Sequence, residues 1–178
     1  VTALTLDASQ NAISSGNVGI GVVPETDWYT GYHVIQLAEG AVVGGYVDNS
    51  VYLGSNWKDD ANNKYINTDE ASVYKQSAGR HIFQVAPSGS ADAAMTMTNA
   101  MMIDNSGNLM VGQTSVNTAN NGHSFGANGN YAHHTSTEST TLILNRKTSN
   151  GDIVRFRKDN VAVGSIGTLG GATYFGSA

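Results

Sequence analysis

Apolar residues in this chain come in twos and threes and never gather into a run long enough to make a continuous core segment. Between them stand Gly, Asn, Ser and Thr, which fill 72 of the 178 positions. A single copy therefore has little from which to build a compact interior. The short alternating runs that remain suit strands and turns rather than helices. Leu, on which helical bundles depend, occurs only 8 times. The expected fold class is all-β.

The charge balance narrows the partners. Fourteen acidic against nine basic residues give a net charge of −5, the wrong sign for affinity built on neutralising phosphates, so no nucleic acid is expected. No apolar run approaches the roughly 18 residues a bilayer span needs, so no membrane insertion is expected. The opening Val1-Thr2-Ala3-Leu4 has neither an initiator Met nor a basic-then-apolar export signal, which reads as a piece of something longer. With no cysteine, thiol catalysis and disulfides are excluded.

Several strands can be placed. Leu4 and Leu6 alternate with Thr5, and Met95 and Met97 with Thr96 and Thr98, which puts apolar groups on one face and hydroxyls on the other. His81 to Val85 reads as a strand ended by Pro87-Ser88-Gly89. Thr140 to Asn145 and Asp152 to Arg157 flank Ser149-Asn150-Gly151, where Asn-Gly suits a type I′ hairpin turn. Alternation of Arg155 and Arg157 with Val154 and Phe156 gives that strand a basic and an apolar face, with Asp152 or Asp159 available as partners.

The chain also repeats itself. Gly16-Asn17-Val18-Gly19-Ile20-Gly21 returns as Gly107-Asn108-Leu109-Met110-Val111-Gly112, each time after an apolar strand ending in Asp, at Leu4 to Asp7 and Met101 to Asp104. A looser third copy is Lys158-Asp159-Asn160-Val161-Ala162-Val163-Gly164. Each copy reads as a hairpin with one apolar edge, and an isolated hairpin is marginal in water. The simplest neighbour is a symmetry-related copy of the same chain.

The motif Asp-x-Ser-Gly-Asn followed by a Gly-broken strand, at Asp104 to Gly112 and Gly16 to Gly21, resembles a repeat of bacteriophage tail fibres and tailspikes. Tyr52-Leu53-Gly54-Ser55-Asn56-Trp57, Lys64-Tyr65-Ile66, Ala71 to Phe83 and Pro87 to Ala91 are similar to the same proteins. Gly164-Ser165-Ile166-Gly167 with Thr173 to Ala178 resembles the segment preceding an endosialidase-type intramolecular chaperone. The resemblance implies an elongated intertwined homotrimer located in the virion tail. It also implies that Ala178 is the residue left when the chaperone cuts itself away. The implied order is a stalk repeat over 1–26, a β-sandwich-like domain over 27–99, a second stalk repeat over 100–115, a variable loop-rich region over 116–139, and a C-terminal β-prism or triple-β stretch over 140–178.

The implied function is attachment to the host through a surface polysaccharide or lipopolysaccharide, alongside other phage tail proteins and without catalysis or cofactor. The alternatives are a polysaccharide depolymerase and a purely structural shaft or adaptor. Trp28, Tyr29, Tyr32 and Trp57 are the candidate glycan-binding rings, joined by Tyr131, His133 and His134. The competing reading, and the favoured one for the clustered rings, is that they pack a small core. His133 and His134 face opposite sides of any strand, so they do not jointly ligate a metal, and no metal is expected. The acidic pairs Asp59-Asp60 and Asp69-Glu70 read as solvated turn residues, not as an acid and base placed across a scissile bond.

Overall fold

The computed structural model describes residues 5–6, 12–14 and 16–177, and the chain divides into two compact units, residues 1–137 and 138–178. Among the described residues there is no α-helix, only the 3-10 turn Ala127–Gly129. The fold is all-β. Ala178, and the two ends Leu4 and Asp7 of the expected first strand, lie outside the described residues.

The first unit opens with the two-stranded pair β1 (Thr5–Leu6) and β2 (Ala12–Ile13). Its main element is one ten-stranded sheet. In chain order this contains β3 (Val18–Ile20), β4 (Tyr32–Leu37), β5 (Ala41–Tyr46) and β6 (Ser50–Ser55). After the short ribbon β7 (Lys58–Asp59) and β8 (Asn63–Lys64) come β9 (Asp69–Ser77), β10 (Arg80–Gly89), β11 (Thr98–Ile103), β12 (Leu109–Val111), β13 (Gly122–Phe125) and β14 (Ala132–Thr135). The sheet order is β14-β13-β12-β11-β10-β9-β6-β5-β4-β3. All pairings are antiparallel except β3 with β4. The sheet thus runs unbroken through positions 99/100 and 115/116.

Turn chemistry accounts for the strand ends. In the second repeat, Asp104 Oδ1 accepts from the Ser106 and Asn108 amides at 2.9 Å each, and Oδ2 accepts from Asn108 Nδ2 at 2.8 Å. Gly107, at φ +85°, makes that tight loop possible. The Asn108 bond comes first in holding the Asp104 carboxyl below the usual range. The first repeat differs from the expected hairpin, because Val18–Ile20 adds in parallel to Ile35–Leu37. At Pro87, which lacks an amide donor, β10 bulges between Ala86 and Gly89 rather than ending. Met95 and Met97 do point inward as alternation requires, but from an extended segment outside any ladder.

The two faces of the sheet differ. On the inner face Val34, Val42, Tyr52 and Val73 pack with Trp57 and Ile66, which lie in the 56–68 insertion around β7 and β8. Ile82, Met102 and Met110 continue that side. The outer face carries three cross-strand rows. The longest is Val18, Ile35, Val43, Leu53, Tyr74, Phe83, Met101, Val111, His123 and His134. Beside it runs Val51, Gln76, His81, Ile103, Leu109, Phe125 and Ala132, and on the other side Leu37, Ala41, Ser55, Ser72 and Val85. These rows contain no Asp, Glu, Lys or Arg. Ile35, Val43, Val51, Leu53, Phe83, Val85, Val111 and Phe125 are 38–56% exposed.

The second unit is a three-stranded antiparallel sheet of β15 (Gly151–Lys158), β16 (Val161–Leu169) and β17 (Ala172–Ser177). Its first hairpin is the third repeat, closed by Asp159 and Asn160 at φ 50° and 66°, the signature of a type I′ turn. The hairpin expected at Asn150-Gly151 does not form. Thr140 to Asn145 is not a strand, and Asn150 lacks the positive φ that both central positions of such a turn require. Among the described residues no hydrophobic side chain of this unit is buried, while Ile143, Val161, Leu169 and Phe175 are prominently exposed.

Candidate functional site

The site begins at the end of β6. Asn56, at φ 55°, turns the chain, and its side chain ties both ends of the insertion together. Its Nδ2 donates to the carbonyls of Asn67 (3.1 Å) and Glu70 (3.0 Å), and its Oδ1 accepts from the Asn67 amide at 2.6 Å. Trp57 therefore folds back over Gly54, where an added Cβ would stand 2.9 Å from Trp57 Cε3. The Trp57 ring stacks on Tyr52 at 5.1 Å and 13°, and its indole N–H donates to Asn63 Oδ1 at 2.7 Å.

Around this anchor the sequence-predicted rings assemble. Trp28 lies edge-on to Trp57 at 5.4 Å and tilted to Tyr32 at 5.7 Å; Tyr32 meets Tyr46 at 4.7 Å and Tyr52 at 5.3 Å. Trp57 is 2% exposed, so it is core and offers no face to a ligand. Trp28 and Tyr32 are half-buried, and Tyr29 is 47% exposed. The Tyr29 amide donates to the Asp59 carbonyl at 2.7 Å, which leaves its ring free.

The outer side of the cluster is an open groove of about 350 Å³, lined by Tyr29, Tyr32, Tyr46 and Tyr52 together with Asp48, Asp59 and Lys75. That is the low end of the range for small-ligand sites. The Tyr32 hydroxyl donates to Asp59 Oδ2 at 3.1 Å. Burial first, then Tyr52 and the Asp59 charge, push the phenol up, so it stays a neutral donor at any working pH. The Lys75 ammonium sits 5.0 Å from the Tyr52 ring centroid, within cation–π range. The groove thus joins aromatic faces, carboxylate acceptors and one cation.

Beside the groove residue Asp59 in the chain stands Lys58. It is 2% exposed, and its Nζ reaches Glu25 Oε2 at 2.8 Å, Asp27 Oδ2 at 3.1 Å and Asp92 Oδ1 at 2.7 Å. Burial alone would lower the ammonium's pKa. Hydrogen bonds to Asp92, Glu25 and Asp27 outweigh it and hold the group above the usual lysine range. The same Lys58 bond keeps the Asp92 carboxyl below its usual range. These three carboxylates cluster closely, and the ammonium is the cation they share.

The acidic turn residues are more engaged than their sequence implies: Asp59 accepts from Tyr32, and Asp60 pairs with Lys64. Asp69 and Glu70 are exposed. Arg155 Nε and a terminal nitrogen bind Asp152 Oδ2 of the same chain at 2.9 and 2.7 Å.

Tyr131, His133 and His134 lie apart from the groove. β14 is eight strand steps from β4, roughly 38 Å at about 4.8 Å per step, so these residues share no site with Tyr29 and Tyr32. Tyr131 and His133 stack on each other at 4.4 Å, half-buried, on the inner face. His134 points the other way, as alternation requires, and meets His123 with Nδ1 atoms 2.7 Å apart. Sequence reasoning missed that pair, as it missed Asp48 and Lys75 as groove lining.

No family model, curated protein or solved structure matches the chain.

Proposed function

We propose that the chain is a segment of a bacteriophage tail fibre or tailspike that attaches the virion to its host by binding a surface glycan. The observation that carries this reading is the groove of Tyr29, Tyr32 and Tyr46 edged by Asp48 and Asp59. Flat phenol rings take the C–H faces of sugars, and carboxylates accept from their hydroxyls. The sequence resemblance supplies the setting. Several weak sites held on one scaffold gain avidity without any single strong contact.

The homotrimer belongs to this proposal. The outer face of the large sheet presents rows of exposed apolar side chains of a kind that monomers rarely leave open, and the second unit has no buried apolar side chain of its own among the described residues. Each is supplied with cover when three copies pack these surfaces against one another, with β13 and β14 at the sheet's end left at the rim. Self-complementary burial suits a second and third copy of this chain better than a charged partner, since the rows carry no charge to be matched.

The test is a binding titration of the purified chain against host polysaccharide, with Tyr29→Ala as the variant. Its structural bond is made by the backbone, so the fold is retained. Loss of one aromatic stacking contact, about 0.5–1.5 kcal/mol, lowers affinity roughly 2- to 13-fold. Failure of the wild-type chain to bind glycan or to block adsorption moves the reading to a shaft, and shortening of the polysaccharide moves it to a depolymerase. Sedimentation equilibrium should give three times 18.6 kDa; a well-folded single chain refutes the assembly.

A further inference from the structure

His123 and His134 are directly opposed residues of β13 and β14, held by a ladder that continues on both sides through Gly122–Thr135 and Ser124–His133. Their rings stand 4.9 Å apart at 61°, with the two Nδ1 atoms converging to 2.7 Å. His123 is exposed, so the point between the nitrogens opens to solvent. Phe125 lies edge-on to His134 at 6.0 Å and limits how that ring can swing. From Asn105 to Thr137 the sequence contains no Asp, Glu, Lys or Arg, so no ammonium or guanidinium from this stretch, which includes all of β12, β13 and β14, opposes a cation there.

We propose that His123 and His134 form a two-imidazole chelate for a divalent transition-metal ion, Ni(II) or Cu(II) fitting best. Imidazole nitrogens bind such ions at about 2.0–2.1 Å. Two bonds of that length at a right angle place the nitrogens about 3.0 Å apart, and at a tetrahedral angle about 3.4 Å. The pair therefore opens by roughly 0.3 Å for the square-planar or octahedral angle favoured by Cu(II) and Ni(II), and by more than twice that for tetrahedral Zn(II). In the empty pair one Nδ1 carries a proton and donates to the other. On binding, that ring moves its proton to Nε2, both Nδ1 lone pairs go to the metal, and solvent fills the remaining positions. The chelate stands apart from the glycan groove and does not depend on the proposed function.

The experiment is calorimetric titration of the untagged full chain with NiCl2 at pH 7.5, beside His123→Ala, His134→Ala and His133→Ala, the last aimed at a ring on the opposite face. The expected result is one ion per chain, an affinity at least about tenfold weaker in each of the first two variants, and no change in the third. As a readout that needs no substitution, Cu(II) added to the wild-type chain should selectively broaden the ring signals of His123 and His134. The proposal is overturned if no Ni(II) binds at millimolar concentration, if binding survives loss of either ring, or if His33, His81 or His133 broadens first.

Discussion

Replacing Lys58 by Met keeps the buried stem and removes the charge that Glu25, Asp27 and Asp92 share. Breaking a fully buried ion pair costs about 3–5 kcal/mol, whereas an exposed pair is worth about 0.2–1 kcal/mol. Lys58 is buried, but its partners are 31%, 46% and 72% exposed, so water recovers much of the loss at their end. The expected destabilisation at pH 7 lies between those limits, about 2 kcal/mol, or roughly 4–8 °C in Tm for a chain of this size. Its pH dependence follows from the shifts. The Lys58 pKa is raised above the ordinary 10.5, so its contribution is full below that value and is lost as pH rises through the folded pKa. The Asp92 pKa is lowered, so its contribution is present above the ordinary 3.8 and is lost as pH falls through the folded pKa. The gap between wild type and Lys58→Met should therefore be level from about pH 5 to 10 and shrink toward pH 3. Urea unfolding at fixed chain concentration measures it. A gap as large at pH 3 as at pH 7, or one below about 0.5 kcal/mol at pH 7, refutes the reasoning.

Two further outcomes can be checked. Gly89→Ala would place a Cβ 2.3 Å from the buried Tyr65 ring, whose hydroxyl is fixed on the Pro87 carbonyl at 2.6 Å; a loss of about 1–3 kcal/mol in urea unfolding is expected, against little change for Gly16→Ala, where nothing lies within 4 Å. The Asp152 carboxyl, held down to about 2 by Tyr174 first and Arg155 next, should titrate near that value by carbon NMR. The stability it lends is present above the ordinary aspartate pKa and fades as pH falls toward about 2; an unshifted midpoint in Tyr174→Phe would contradict the assignment.

What the sequence disclosed is mostly short-range. Asp104 to Asn108 announces its loop because the Asp carboxylate and the Gly lie within four residues of the groups they serve. Asp159-Asn160 likewise closes a hairpin by its own backbone preferences. Asn150-Gly151 carries the same signal and fails, since Arg146 binds the Ser149 carbonyl and hydroxyl and leaves β15 without a partner on that side. Long-range pairings were invisible. The parallel addition of β3 to β4, the burial of Lys58 within a run of Asn and Asp, and the meeting of His123 with His134 across eleven residues all depend on register. Spacing in the sequence groups Trp28, Tyr29 and Tyr32 within five residues but gives no sign that Trp57 joins them, which the fold alone brings about. It could not separate Trp57, sealed beneath Gly54, from Tyr29, which faces out.

Within the large sheet, from β4 to β14, each strand hydrogen-bonds to the next strand of that sheet along the chain, and one of these pairings, β6 with β9, passes over the 56–68 insertion and its ribbon of β7 and β8. A chain leaving the ribosome can thus add one strand at a time to the growing rim, each step closing only a small loop. The longest loop that any of these pairings closes lies between β6 and β9, and Asn56 ties it together through its bonds to Asn67 and Glu70.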